Sequence, residues 1–175
     1  MRNFVAIALL VAAGSTIAVA QAPSKPVDVS LGWNYSYTDE GTGFASLNGW
    51  YGVVNWEATK RAGLALEHES LWGDFQHLGA NQHVWLVGST VKLREGNVKV
   101  SPFLQPMAGA TRSKSTGTVL WEPTLQLGAG ADITLKGNLS LELIPAEYTF
   151  TYGNGTAMNT YQAGAGFQYT FGKKS

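Results

Sequence analysis

The side chains of this sequence that could do chemistry are a set of carboxylates and three histidines. Glu67 and Glu69 share one face of an alternating stretch, flanked by Leu66, His68 and Ser70, and Glu122, Asp132 and Glu147 hold comparable positions further along. Paired carboxylates could do acid–base work. The same residues also suit a blander role, as the polar filling of a narrow lumen, with Lys92 the clearest cation of matching parity. An acidic excess inside such a space is costly unless the carboxyls are protonated, hydrated or matched by cations. The histidines are His68, His77 and His83. A metal site from His77, His83 and Asp74 is conceivable, but no recognised ligand spacing joins them. There is no cysteine, no phosphate-cradling loop and no nucleophile elbow. The sequence therefore assigns no catalytic, cofactor-binding or metal-ligating residue.

The elements that would position these residues follow an N-terminal segment unlike the rest. Arg2 gives a positive start, Phe4 to Val11 form an uncharged apolar run, and Ala18-Val19-Ala20 has the small-x-small pattern of a secretory cleavage site. Residues 1–20 are expected to be a cleaved signal peptide and residues 21–175 a single exported domain. Without cysteine, no disulfide framework supports that domain. Twelve basic and twelve acidic residues cancel, which offers no electrostatic case for nucleic acid. Charged residues make up only 14% while aromatics reach 11%, a surface composition that fits strands facing lipid better than water.

No stretch after residue 20 is long and apolar enough for a membrane-spanning helix, and what recurs is alternation. Tyr161, Ala163, Ala165, Phe167, Tyr169 and Phe171 oppose Gln162, Gly164, Gly166, Gln168 and Thr170. The stretch from Val119 to Leu135 repeats the pattern, with Glu122, Thr124, Gln126 and Asp132 on its polar face. Val27 to Tyr37 and Ala62 to Trp72 do likewise, the latter placing Glu67 and Glu69 inward and His68 toward lipid. A segment near 83–93 turns His83, Trp85, Val87, Val91 and Leu93 outward, and another runs from Ser140 to Tyr152. Segments around 45–56 and 98–111 are apolar on both faces, so their orientation stays open. These make eight strands.

Short turns are expected at 57–61, 94–97 and 136–138, with longer loops at 38–43, 73–82, 112–118 and 153–159, an asymmetry typical of outer-membrane barrels. One segment breaks the alternation. Glu142 and Glu147 differ in parity although both should face inward, and Pro145 between them cannot donate to a ladder. A β-bulge near Ile144–Pro145 would reconcile the two. Aromatics should gather at the interfaces, with Tyr35, Tyr37, Trp72, Trp121, Phe150, Tyr152 and Tyr161 at one end and Tyr169 and Phe171 at the other. The fold class is then all-β: an eight-stranded antiparallel up-and-down transmembrane barrel. A soluble lipocalin-like barrel is the alternative, but it would present its polar face outward.

Several short stretches resemble the OmpA-like family of small outer-membrane barrels. They are Asn48-Gly49-Trp50, Ala62-Gly63-Leu64, Pro102-Phe103 with Ala108-Gly109-Ala110, Gln126 to Asp132, Ala146-Glu147-Tyr148, and the ending Gly166 to Gly172. The resemblance implies residence in a bacterial outer membrane, contact with its lipids (lipopolysaccharide among them), and a monomer. It also implies that Gly166, Tyr169 and Phe171 form the terminal signal read by the barrel-assembly machinery, although Gly164 stands where a polar residue is expected. Asp39, Glu40, Arg112 and Lys114 are the loop charges that could touch lipopolysaccharide. The expected role is non-enzymatic, in envelope integrity or weak surface interaction. A lipid A-modifying enzyme and a narrow pore are the alternatives. Lipid A deacylases resemble such barrels and carry a His-x-Ser pair on a late strand, whereas the comparable stretch here, Ala146 to Thr151, has no histidine.

Overall fold

The computed structural model describes residues 25–39, 44–75, 78–94, 99–115, 118–153 and 155–172. The expected signal peptide, His77 and Glu40 lie outside them. Eight antiparallel strands run in chain order around one closed barrel: β1 (Val27–Asp39), β2 (Phe44–Glu57), β3 (Ala62–Phe75), β4 (Leu78–Lys92), β5 (Val100–Ser115), β6 (Thr118–Lys136), β7 (Leu139–Gly153) and β8 (Thr156–Phe171). Closure is made by β1 and β8, which pair continuously from Val27↔Phe171 to Asp39↔Asn159. Every strand therefore has two neighbours and no edge is left open, the condition for a sheet in hydrocarbon. We call the end bearing Val27 and Phe171 the terminal rim.

Burial follows the strand period of two, with the soluble pattern inverted. Leu31, Trp33, Tyr35, Leu125, Leu127, Phe167 and Tyr169 are exposed on the outer face, while Asp28, Ser30, Glu69, Thr124, Gln126 and Thr170 are buried within. Such a surface would be an aggregation hazard in water and is the expected surface in lipid. The aromatics expected at the two ends are there, with Tyr35, Tyr37, Trp72, Trp121, Tyr152 and Tyr161 exposed near the rim opposite the termini. Tyr169 and Phe171 meet edge-on at the terminal rim, their ring centroids 4.7 Å apart.

The two segments with open orientation are settled by burial. In β2, Ala45, Leu47, Tyr51 and Val53 point inward, and in β5 Phe103 and Met107 do so. All of these but Ala45 join Ala65, Leu71, Val84, Leu86 and, from β7, Ile144 in one apolar cluster that lies mostly on the β2–β5 side of the lumen. These strands are apolar on both faces because lipid lies on one side and this cluster on the other.

The bulge forms where the parity conflict placed it. Pairing with β8 passes from Ile144↔Gly164 to Glu147↔Gln162, and pairing with β6 passes from Leu143↔Ala131 to Ala146↔Ala129. Pro145 and Ala146 are both exposed, so Glu142 and Glu147 both turn inward. The extra residue shifts parity once and absorbs the missing proline donor.

The loop expectation needs correction. Strands consume most of the stretches read as long loops: β3 reaches Phe75 and β4 begins at Leu78, β5 reaches Ser115 and β6 begins at Thr118, and β8 begins at Thr156. Polar residues such as Asn81, Gln82, Ser113 and Lys114 extend the ladder past the apolar band, where alternation no longer marks a strand. The contrast of short turns with long loops is thus absent. The turn at Gly137-Asn138 is as expected, with Gly137 at φ 57° and the Asn138 amide donating to the Thr170 carbonyl at 2.8 Å.

Candidate functional site

The polar side chains meet in the lumen, in four tiers. At the terminal rim, Lys92 contacts Asp28 at 3.5 Å and donates to Glu57. Asp28 also accepts from the Thr170 hydroxyl at 2.7 Å and from the Asn55 amide at 3.5 Å. Strand ends from β1, β2, β4 and β8 bring these groups together, and the sequence parity had placed Lys92 inside without its partners.

Above this tier, Glu142 accepts from Ser30 at 2.9 Å and from the Tyr51 hydroxyl at 3.0 Å. The Tyr51 ring lies against β1 and β8 where three glycines face inward. A Cβ on Gly32 would fall on the ring, one on Gly166 would stand 2.7 Å from its hydroxyl, and one on Gly164 would stand 3.2 Å from its edge. Glycine at these positions makes the room that a packed aromatic needs.

The middle tier holds Glu67, Glu69 and Glu147, each offering a carboxylate oxygen within 4.8 Å of the others. Gln126 and Gln162 donate to the two oxygens of Glu69 at 3.5 and 3.4 Å, and Asn34 donates to the Gln162 carbonyl at 3.2 Å. These three glutamates were expected inside, and the fold brings them to one place. The other expected inward carboxylates stand apart from them. Glu122 accepts from Ser113 at 3.5 Å toward the opposite rim, and Asp132 lines a lower cavity with Lys92 and Glu142.

Toward the opposite rim, hydroxyls replace carboxylates. Thr38 and Thr160 share a hydrogen bond at 2.9 Å, and Thr124 is bonded to Thr111 at 2.7 Å and to Thr151 at 3.2 Å. The lumen is therefore packed and hydrogen-bonded along its length, in keeping with the size of an eight-stranded barrel.

A second constellation faces lipid. His68 is stacked on Trp85 with centroids 3.8 Å apart, meets Trp50 edge-on at 5.1 Å and lies 5.8 Å from His83. Its Nδ1 is 3.0 Å from the Val84 carbonyl. His68-Glu69-Ser70 is itself a His-x-Ser sequence, a signal that attention to the late strands passed over. Ser70 shares the outward parity but is only 8% exposed, held in the ladder between Trp50 and His83. Among the described residues no hydrogen bond joins Ser70 to a histidine. His83 pairs in register with Arg112 on β5, and His77 and the side chain of Asp74, its partners in the conceivable metal site, lie outside what is described. Arg112 and Lys114 stand on β5 itself and not in a loop.

No family model matches the chain, and no curated protein sequence matches it significantly. Solved structures do. Neisserial surface protein A superposes with a TM-score of 0.73 at 11% identity, over 85% of this chain and all of that one. Ail, the attachment invasion locus protein of Yersinia pestis, gives a TM-score of 0.52 at 16% identity over 84% of this chain and all of its own. The outer membrane enzyme PagL gives 0.52 at 14% identity over 79% of this chain and 97% of its own. Likeness at such low identity shows the fold alone, and that fold is the small eight-stranded barrel of the bacterial outer membrane.

Proposed function

We propose that the chain is a non-enzymatic outer-membrane protein that supports the envelope through its lipid-facing wall and short rims. The observation that carries this reading is the lumen itself: among the described residues, polar side chains bond to one another near both rims and in the middle, and no nucleophile–base pair stands over a substrate-sized cavity. A filled lumen also argues against a broad pore. Arg112 and Lys114 give the rim opposite the termini cations suited to anionic lipid headgroups. Ail has been crystallised with the heparin analogue sucrose octasulfate, so a barrel of this shape can hold a polyanion. Export by the segment at residues 1–20, and delivery to the assembly machinery through Gly166, Tyr169 and Phe171, belong to this reading. In support, Tyr169 and Phe171 are displayed on the outer wall at the terminal rim.

A second reading is a lipid-facing acyl hydrolase, favoured by one observation, the His68-x-Ser70 pair on the outer wall of a fold shared with PagL. The two readings part on one experiment. The protein is expressed in an outer membrane, its folding is checked by heat-modifiable gel mobility, and lipid A is analysed by mass spectrometry. An unchanged acyl pattern supports the structural role. Loss or transfer of an acyl chain that disappears in Ser70→Ala would overturn it in favour of the hydrolase.

A further inference from the structure

We propose that the middle of the lumen is a binding site for one hard divalent cation of calcium size, held by Glu67, Glu69 and Glu147 together with the side-chain carbonyl of Asn34. Two independent observations meet there. The first is the carboxylate cluster, contributed by β3 and β7 from opposite sides of the barrel, with ligand oxygens all within 4.8 Å of one another. Oxygens on opposite sides of a bound calcium lie about 5 Å apart, given bonds of 2.3–2.6 Å, whereas those across magnesium lie about 4 Å apart. All three carboxylates fall within the reach of one such ion, and a cavity too small for the several waters that magnesium keeps favours calcium. The second is an orphan acceptor. Asn34 is 4% exposed, donates its amide N–H to Gln162 and leaves Oδ1 without a hydrogen-bond partner among the described residues.

Asn34 lines the same small cavity as the three glutamates and Tyr51, which has room for about one water-sized occupant. The orientation of the amides is set by the carboxylates. Gln126 and Gln162 both turn their N–H groups to Glu69, so the Gln126 side-chain oxygen is also left without a donor. Glu69 gains two donors in this way, but amides carry no charge. Neither ion pair of Lys92 includes Glu67, Glu69 or Glu147. A set of carboxylate and carbonyl oxygens in a dry space selects calcium over softer metals, which prefer imidazole or thiolate. This site is independent of the envelope role proposed above, and would stand if the protein proved to be an acyl hydrolase.

The test uses the full mature barrel, refolded from urea into a non-ionic detergent so that the ion can enter before closure. Terbium luminescence excited through protein aromatics, Tyr51 among them, reports the site, with calcium as competitor and calorimetry for stoichiometry. One calcium per barrel, binding at about 1 millimolar or tighter, is the expected result. Glu67→Gln and Glu147→Gln should each weaken it roughly tenfold or more, as loss of a charged ligand should. Glu122→Gln, in a separate tier, should leave it unchanged. Asn34→Ala removes a ligand without removing charge and should weaken binding severalfold, which keeps the test decisive if a glutamate variant fails to fold. Absence of saturable binding would overturn the proposal and leave protons or water as the occupants. So would binding that neither Asn34→Ala nor the folded glutamate variants alter.

Discussion

The lumen solves the problem of buried carboxylates in two ways. At the terminal rim, Asp28 and Glu57 share the ammonium of Lys92, and a threonine and an asparagine supply further donors. In the middle, three carboxylates face one another with glutamine and asparagine amides as their neighbours. Charge is neutralised by the protein's own cation in the first region, and neither ion pair of that cation reaches the second. A buried pair that loses one member leaves an uncompensated charge, whereas a cluster of like charges is relieved when one member is removed. The two regions should therefore respond to neutralising substitutions with opposite signs.

The largest effect is expected where the regions meet. Gly32→Val would drive a side chain into the Tyr51 ring, which separates the rim network from the middle cluster. The heat-modifiable folded form should be lost on gels, and a variant that folds with normal urea resistance would show that the two tiers do not depend on this partition. Lys92→Met should come next, lowering urea stability in lipid vesicles by about 1–3 kcal/mol, at the low side for a buried pair because the lysine is partly exposed. No loss in that variant would erase the contrast. Glu147→Gln should instead raise stability by about 1 kcal/mol in calcium-free buffer, by removing one of three like charges. Destabilisation there would mean that the cluster is already neutral. The smallest effect belongs to Thr124→Val, which breaks neutral hydrogen bonds to Thr111 and Thr151 and should cost roughly 0.5–1.5 kcal/mol. Chelators and added calcium should leave that loss unchanged, in contrast to Glu147→Gln.

How much of this could be read beforehand depends on the wall of the barrel. On β1, β6 and β8, lipid lies outside and polar filling inside, so alternation exposes both strand and orientation, and Asn34, Gln126 and Gln162 fall on the inward side by parity. On β2 and β5 the inward side carries Leu47, Tyr51, Val53, Phe103 and Met107, and period two vanishes from the sequence although the strands are equally regular. Parity placed Glu67, Glu69 and Glu147 in the lumen, with the proline-marked bulge bringing Glu147 into line. It could not show that they share one tier. That follows from the stagger between strands, which relates β3 to β7 across the barrel and leaves no trace in local spacing. The same holds for Glu57, whose partner Lys92 reaches it across β3 from two strands away. The rims were misjudged because polar strand ends and polar loops have the same composition.

The bed of glycines under Tyr51 has a further consequence, for how the barrel closes. Gly32 belongs to the first strand and Gly164 and Gly166 to the last, so the surface that receives the ring exists only once the two ends of the chain have paired. Glu142, which accepts the Tyr51 hydroxyl, belongs to the strand that brings the last one in. An unzipped seam would leave a tyrosine without its bed and weaken the hold on a buried carboxylate, a double penalty that disfavours every half-closed form. Tyr51 thus acts as a keystone, coupling the seam between first and last strands to the packing of the interior.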